Sequence, residues 1–178
     1  MIFKIGDAVV HPFRGAGVVI GLEELQQQGA VISYYRIKLL DHAQTHLLIP
    51  VKEAESIGLR HVTPAVQLPE IWQVLCETPQ ALPTQRKLRY KLLRDKLRTG
   101  NILQIAASVR DITWWKRQEE GLSAEEKRLY RKNLLFLASE LAAVQHIPLA
   151  DAEVEVRARL NEAIPLPENP DDTTANDE

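Results

Sequence analysis

The chain has 178 residues, 45% of them hydrophobic, and a formal net charge of −2 from 22 basic and 24 acidic side chains, enough to bury one large core or two small ones. Its single cysteine, Cys76, excludes an intramolecular disulfide and fits a reducing cytoplasm. No stretch approaches the roughly 18 apolar residues that span a bilayer, and the segment 1–7 reaches a turn too early for a signal-peptide core, so a soluble cytoplasmic protein is expected.

From 1 to about 62 the pattern is that of short strands. Ala8-Val9-Val10 and Val18-Val19-Ile20 are valine-rich runs punctuated by Gly6-Asp7, Pro12, Gly15, Gly17 and Gly21. Gln26-Gln27-Gln28-Gly29 reads as a hairpin tip, and 31–40 and 46–49 supply two further strands. Four or five strands in about sixty residues predict a small, strongly bent barrel of the SH3 or Tudor type. Such barrels are usually interaction modules.

From about 67 the apolar period changes to that of helices. The segment 69–77 can start one helix, and 79–83 is a break. A basic helix follows and ends at Gly100. The segment 101–120 carries Ile102, Ile105, Val109 and Ile112 on one stripe. Ser123-Ala124-Glu125-Glu126 is a capping box that opens the next helix, along which Tyr130, Leu134, Leu137, Leu141 and Val144 keep helical spacing. Pro148 can restart a last helix over 149–163. The predicted fold class is therefore α+β: a Tudor/SH3-like small β-barrel over 1–62, then an all-α bundle of four to five helices over 67–164. The segment 165–178, with three prolines, five acidic residues and no aromatics, is expected to be a disordered acidic tail. It reads as a solvating terminus or as a strap that folds back on the basic helix.

Charge singles out one segment. Residues 86–98 hold seven cationic side chains and the carboxylate of Asp95, a local charge of +6. On a helix Lys87, Lys91, Arg94 and Arg98 fall at i, i+4, i+7 and i+11, one continuous face. Leu88 and Leu92 form a second stripe, and Tyr90, Leu93 and Leu97 a third, so the opposite side can dock on a core. A cationic stripe of this kind holds a phosphate backbone, although many basic helices are merely solvated. The surroundings agree: residues 1–66 balance six basic against six acidic side chains, 67–150 carry fourteen against nine, and 151–178 two against nine.

Other chemistry finds little support. His42 and His46 lie in a turn and a strand, and with His11, His61 and Cys76 scattered they make no zinc spacing. Cys76 in an apolar helix reads as a small core residue. Gly15-Ala16-Gly17 lacks the lysine and hydroxyl residue of a phosphate loop. No catalytic residue, metal or cofactor is expected, and the chain reads as a non-enzyme.

With both halves in view, the chain resembles the CarD/CdnL family of bacterial transcription regulators, and its N-terminal part is similar to the RNA-polymerase-interacting domain of transcription-repair coupling factor. The resemblance rests on Met1-Ile2-Phe3-Lys4-Ile5-Gly6-Asp7-Ala8-Val9-Val10-His11-Pro12 with Gly15-Ala16, on Ile49-Pro50 and Ile57-Gly58-Leu59-Arg60, and on Trp72-Gln73-Val74-Leu75, Arg89-Tyr90-Lys91, Val109-Arg110-Asp111 and the run from Gly121 to Arg128. It covers about 1–145 and leaves out the tail. It implies a non-catalytic, monomeric regulator that sits on the nucleoid through RNA polymerase. The barrel would dock on the polymerase β subunit, through Leu25, Leu48 and Ile49 here. The helical domain would contact promoter DNA at the upstream edge of the bubble and stabilise the open complex. Arg89-Tyr90-Lys91 and Lys127 match the positions that the resemblance implies along the DNA backbone, and the charge pattern adds Arg86, Lys87, Arg94, Lys96 and Arg98.

Three departures stand out. Arg86 occupies the place of the family's wedge tryptophan, leaving Trp114-Trp115 as the other aromatic candidate. Leu25 and Leu48 fall where family members use arginines against polymerase. One residue is inserted between Val109-Arg110-Asp111 and Gly121-Leu122-Ser123. The changes at 25 and 48 keep open an adaptor whose barrel binds a partner other than polymerase.

Overall fold

The computed structural model describes residues 3–27, 29–118 and 121–164. Five strands, β1 (Ala8–His11), β2 (Gly15–Gln27), β3 (Ala30–Leu39), β4 (His46–Pro50) and β5 (Arg60–His61), precede five helices, α1 (Leu68–Cys76), α2 (Arg86–Arg98), α3 (Ile102–Gln118), α4 (Ala124–Gln145) and α5 (Leu149–Ala163). The α+β class holds, but the sheet is not a closed barrel. Its antiparallel order is β4-β3-β2-β1-β5, with β4 and β5 at opposite edges. β5 is two residues long and, among the described residues, pairs with Val9 and Val10 alone, too short to close against β4. A register shift between Val19 and Gly21 bends β2, as an extra residue in one strand does.

Alternation along β3 turns Tyr35, Ile37 and Leu39 into a small core with Phe3, Val9, Val19, Ile49 and Leu59. The Tyr35 hydroxyl accepts from Phe3 N at 3.0 Å. Gly29, with φ +82°, supplies the positive φ the β2–β3 turn needs. Gln28 of the expected hairpin tip and the whole acidic tail lie outside the described residues.

The second core is helical. Ile102, Ile105, Val109 and Ile112 of α3 and Leu134, Leu137 and Leu141 of α4 form its centre, with Ile71, Leu93, Leu97, Val156 and Leu160 from the other helices. The capping box opens α4 as its sequence requires: Ser123 Oγ accepts from Glu126 N, and Glu126 Oε2 accepts from Ser123 N at 3.0 Å. Two expectations from helical spacing fail. Cys76 is exposed, at the last turn of a short helix whose inward positions are Ile71 and Leu75. Leu88 and Leu92 are exposed as well, because α2 docks through Leu93 and Leu97 and leaves that stripe outside.

The sheet and the helices are fastened together. Val10 and Ala16 of the sheet belong to the helical core. Ala16 N donates to Ser139 Oγ of α4 at 3.0 Å. Gly15, at φ +88°, lies so close that a Cβ there would stand 2.7 Å from Ser139 Oγ. From β5, Arg60 reaches the fully buried Glu140 with two nitrogens, at 2.7 and 2.9 Å. Glu140 Oε1 also accepts from Thr63 N at 3.0 Å and Thr63 Oγ1 at 2.7 Å. No single helix among the described residues is long and apolar enough to cross a membrane.

Candidate nucleic-acid interface

With Leu93 and Leu97 turned inward, α2 presents Arg86, Lys87, Lys91, Arg94 and Arg98 as exposed side chains. Arg94 contacts Asp95 at 3.4 Å, a solvent-exposed pair that neutralises little. Lys96 is half-buried and turned to Asp111 of α3, 3.7 Å away. Among the described residues, Arg86, Lys87, Lys91 and Arg98 make no ion pair.

Arg89 is the exception, and here the expectation of a DNA contact is overturned. It is 3% exposed. Its Nε donates to Glu126 Oε1 at 2.7 Å, and its Nη1 donates to the carbonyls of Pro83 (2.9 Å) and Thr84 (3.1 Å). Its guanidinium also covers the Trp115 ring, 4.4 Å from the centroid. The physical reason is helical spacing: Arg89 shares its face with Leu93 and Leu97, so it enters the core with them and finds a carboxylate there. Burial by itself raises the pKa of Glu126, but the hydrogen bonds from Arg89 and Ser123 outweigh it and hold the carboxyl below its usual range. Arg89 thus ties the start of α2 to the start of α4 and positions the cationic face.

Val109-Arg110-Asp111 has a similar internal duty. Arg110, 2% exposed, bonds Asp111 through Nε at 2.9 Å and donates through Nη1 to Val74 O of α1 at 2.8 Å. Trp114 and Trp115 are half-buried and pack against the helical core, so neither stands free as a wedge. Arg86 is exposed at the first position of α2.

Lys127 is exposed on α4, yet the shallow groove between α2 and α4 is lined instead by Ser123, Glu125, Arg128 and Lys132. Arg128 and Lys132 escaped the sequence reading, although Lys127-Arg128 and Arg131-Lys132 put four cations into six residues. The groove runs on to Phe13.

On the sheet, β4 pairs with β3 on one side and, among the described residues, has no strand on the other. The register Gly21↔Arg36↔Leu48 and Leu25↔Ile32 places Leu25 and Leu48 on one face, 39% and 46% exposed. On that face Arg36 Nη1 pairs with Glu23 at 2.9 Å. Ile49 points the other way, into the small core at 4% exposure, so its side chain cannot be a docking contact.

A sheet domain with an open edge, locked to a helical domain that shows a cationic face, has the build of a two-domain transcription factor. The chain belongs to the CarD-like family of transcription factors. Residues 3–63 match the CarD-like/TRCF RID domain, a domain type that interacts with RNA polymerase, and residues 70–157 match the CarD C-terminal domain. The putative transcription factor YdeB of Bacillus subtilis (strain 168) is 35% identical over 147 residues, which cover 82% of this chain and 94% of that relative.

Proposed function

We propose that this protein docks on the RNA polymerase β subunit through the free β4 edge and the Leu25–Leu48 face of its sheet. From there it lays the cationic face of α2 along promoter DNA near the upstream edge of the bubble and stabilises the open complex. The observation that carries the DNA half is the exposed set Arg86, Lys87, Lys91, Arg94 and Arg98 on one helix, held in place from behind by Arg89. Side chains of this kind contact phosphates, which carry no base information, so sequence preference is weak and placement comes from the polymerase. Arg86 stands where the family has its wedge tryptophan and supplies a charged contact at the fork, suited to a narrow minor groove.

The double variant Lys91→Glu/Arg94→Glu tests it. Duplex affinity should fall more than tenfold at low salt, and the dependence of log K on log salt should flatten by about two units, one for each lost phosphate contact. Polymerase binding and thermal stability should stay as they were, because both residues are exposed. An unchanged salt slope places the DNA elsewhere.

The polymerase half rests on strand addition at an exposed edge, where main-chain pairing supplies affinity and neighbouring side chains add selectivity. Leu25→Asp/Leu48→Asp should abolish co-purification of the β subunit while leaving duplex binding intact. Retained capture by that variant removes the Leu25–Leu48 face from the interface.

A further inference from the structure

The cationic surface does not end with α2. Past Arg98 it crosses α4 and reaches the turn between β1 and β2, so the groove is lined from both domains, by Tyr90, Arg94, Arg128 and Lys132 on one side and Phe13 on the other. Phe13 and Lys132 then border the adjoining depression with Arg14. Among the described residues Arg14, Arg98, Arg128 and Lys132 make no ion pair. Among the described residues, the carboxylates that line these depressions are Glu125 and Asp41, and Asp41 is engaged by Thr45 N at 2.8 Å.

Phe13 is 46% exposed, and a lone exposed apolar ring needs no explanation. The turn that carries this ring, however, is held in place. Phe13 N donates to His11 Nδ1 at 3.1 Å, and the two rings lie 6.1 Å apart. Arg14 N donates to His11 O at 3.1 Å, and the turn is then pinned to α4 at Gly15 and Ala16 through Ser139. An exposed aromatic ring on a fixed turn, beside cations without an ion pair among the described residues, is an arrangement that suits unpaired nucleic acid, with phosphates on the cations and a base on the ring. A duplex keeps its base faces stacked inside and offers no base face to this ring.

We propose that the groove between α2, α4 and the β1–β2 turn is a binding site for single-stranded nucleic acid, in which Phe13 stacks on a base while Arg14, Arg98, Arg128 and Lys132 hold the backbone. The proposal rests on the DNA reading above and extends it to a second strand state and to the N-terminal domain.

The test is fluorescence anisotropy of the full chain with three probes: an oligo(dT) 20-mer, an abasic 20-mer with the same phosphates, and a 20-base-pair duplex. Wild type should bind oligo(dT) more tightly than the abasic strand. Phe13→Ala should lose roughly fivefold or more on oligo(dT), down to the abasic level, with no change on the duplex, and Phe13→Trp should retain the wild-type affinity. Arg14→Gln and Lys132→Gln should each flatten the single-strand salt slope by about 0.7. Equal binding of oligo(dT) and the abasic strand, or no effect of Phe13→Ala on oligo(dT), overturns the site. Duplex binding without oligo(dT) binding sinks this proposal and leaves the DNA reading standing. If wild type binds none of the three at low salt, the DNA reading falls with it.

Discussion

Replacing Arg89 by alanine is expected to cost stability, not a DNA contact. Removing one partner of a buried ion pair leaves the other charge stranded, at a cost of about 3–5 kcal/mol. For a chain of this size that corresponds to a fall in Tm of about 10 °C. The loss should be large because Glu126 is 1% exposed and the Pro83 and Thr84 carbonyls lose their donor in the same step. Arg89→Lys should be nearly as damaging, since an ammonium cannot donate to a carboxylate and two carbonyls in this fork geometry. Arg89→Met/Glu126→Gln should lose less than Arg89→Ala, because the stranded charge is gone and glutamine still serves the capping box. The pH dependence follows from Glu126. Its folded pKa lies below the ordinary value of 4.5, so its stabilising contribution is complete at neutral pH and disappears as acid protonates it below that range. Thermal unfolding of wild type and Arg89→Ala from pH 7 down to pH 3 should therefore converge on acidification. An Arg89→Ala protein with wild-type Tm and lost duplex binding would restore Arg89 to the surface.

The second large effect belongs to the joint between sheet and helices, and it should be asymmetric. Arg60→Ala leaves Glu140 fully buried without its guanidinium, again about 3–5 kcal/mol. Glu140→Gln should cost less: the amide oxygen can still accept from Thr63, and Arg60, 36% exposed along its side chain, can turn to water. Chemical denaturation of the two variants measures the difference, and equal losses would argue against a stranded carboxylate as the cause. Limited proteolysis adds a spatial readout, since Arg60→Ala should open the 62–68 connection to cleavage before the helices unfold. The functional consequence is geometric. The Arg60–Glu140 and Ala16–Ser139 contacts set how the Leu25–Leu48 face stands relative to the cationic face of α2.

Much of this protein was legible in its sequence because much of it is local. Period-two and period-3.6 patterns decide strand and helix from neighbouring residues alone, and the Ser123 capping box opens α4 where its residues say it should. The cationic stripe of α2 was likewise readable, since positions four and seven apart share a face in any helix. The spacing also carried a warning at Arg89, which keeps step with Leu93 and Leu97, but a count of charges masked it. What the sequence could not contain is which faces meet. That Arg89 finds Glu126, that Leu88 and Leu92 stay outside, and that Phe13 and Arg14 arrive beside Lys132 depend on how α2, α4 and the β1–β2 turn pack. Such contacts join residues from 37 to more than a hundred positions apart. They are decided by the shared core and the close approach at Gly15, not by any periodicity along the chain.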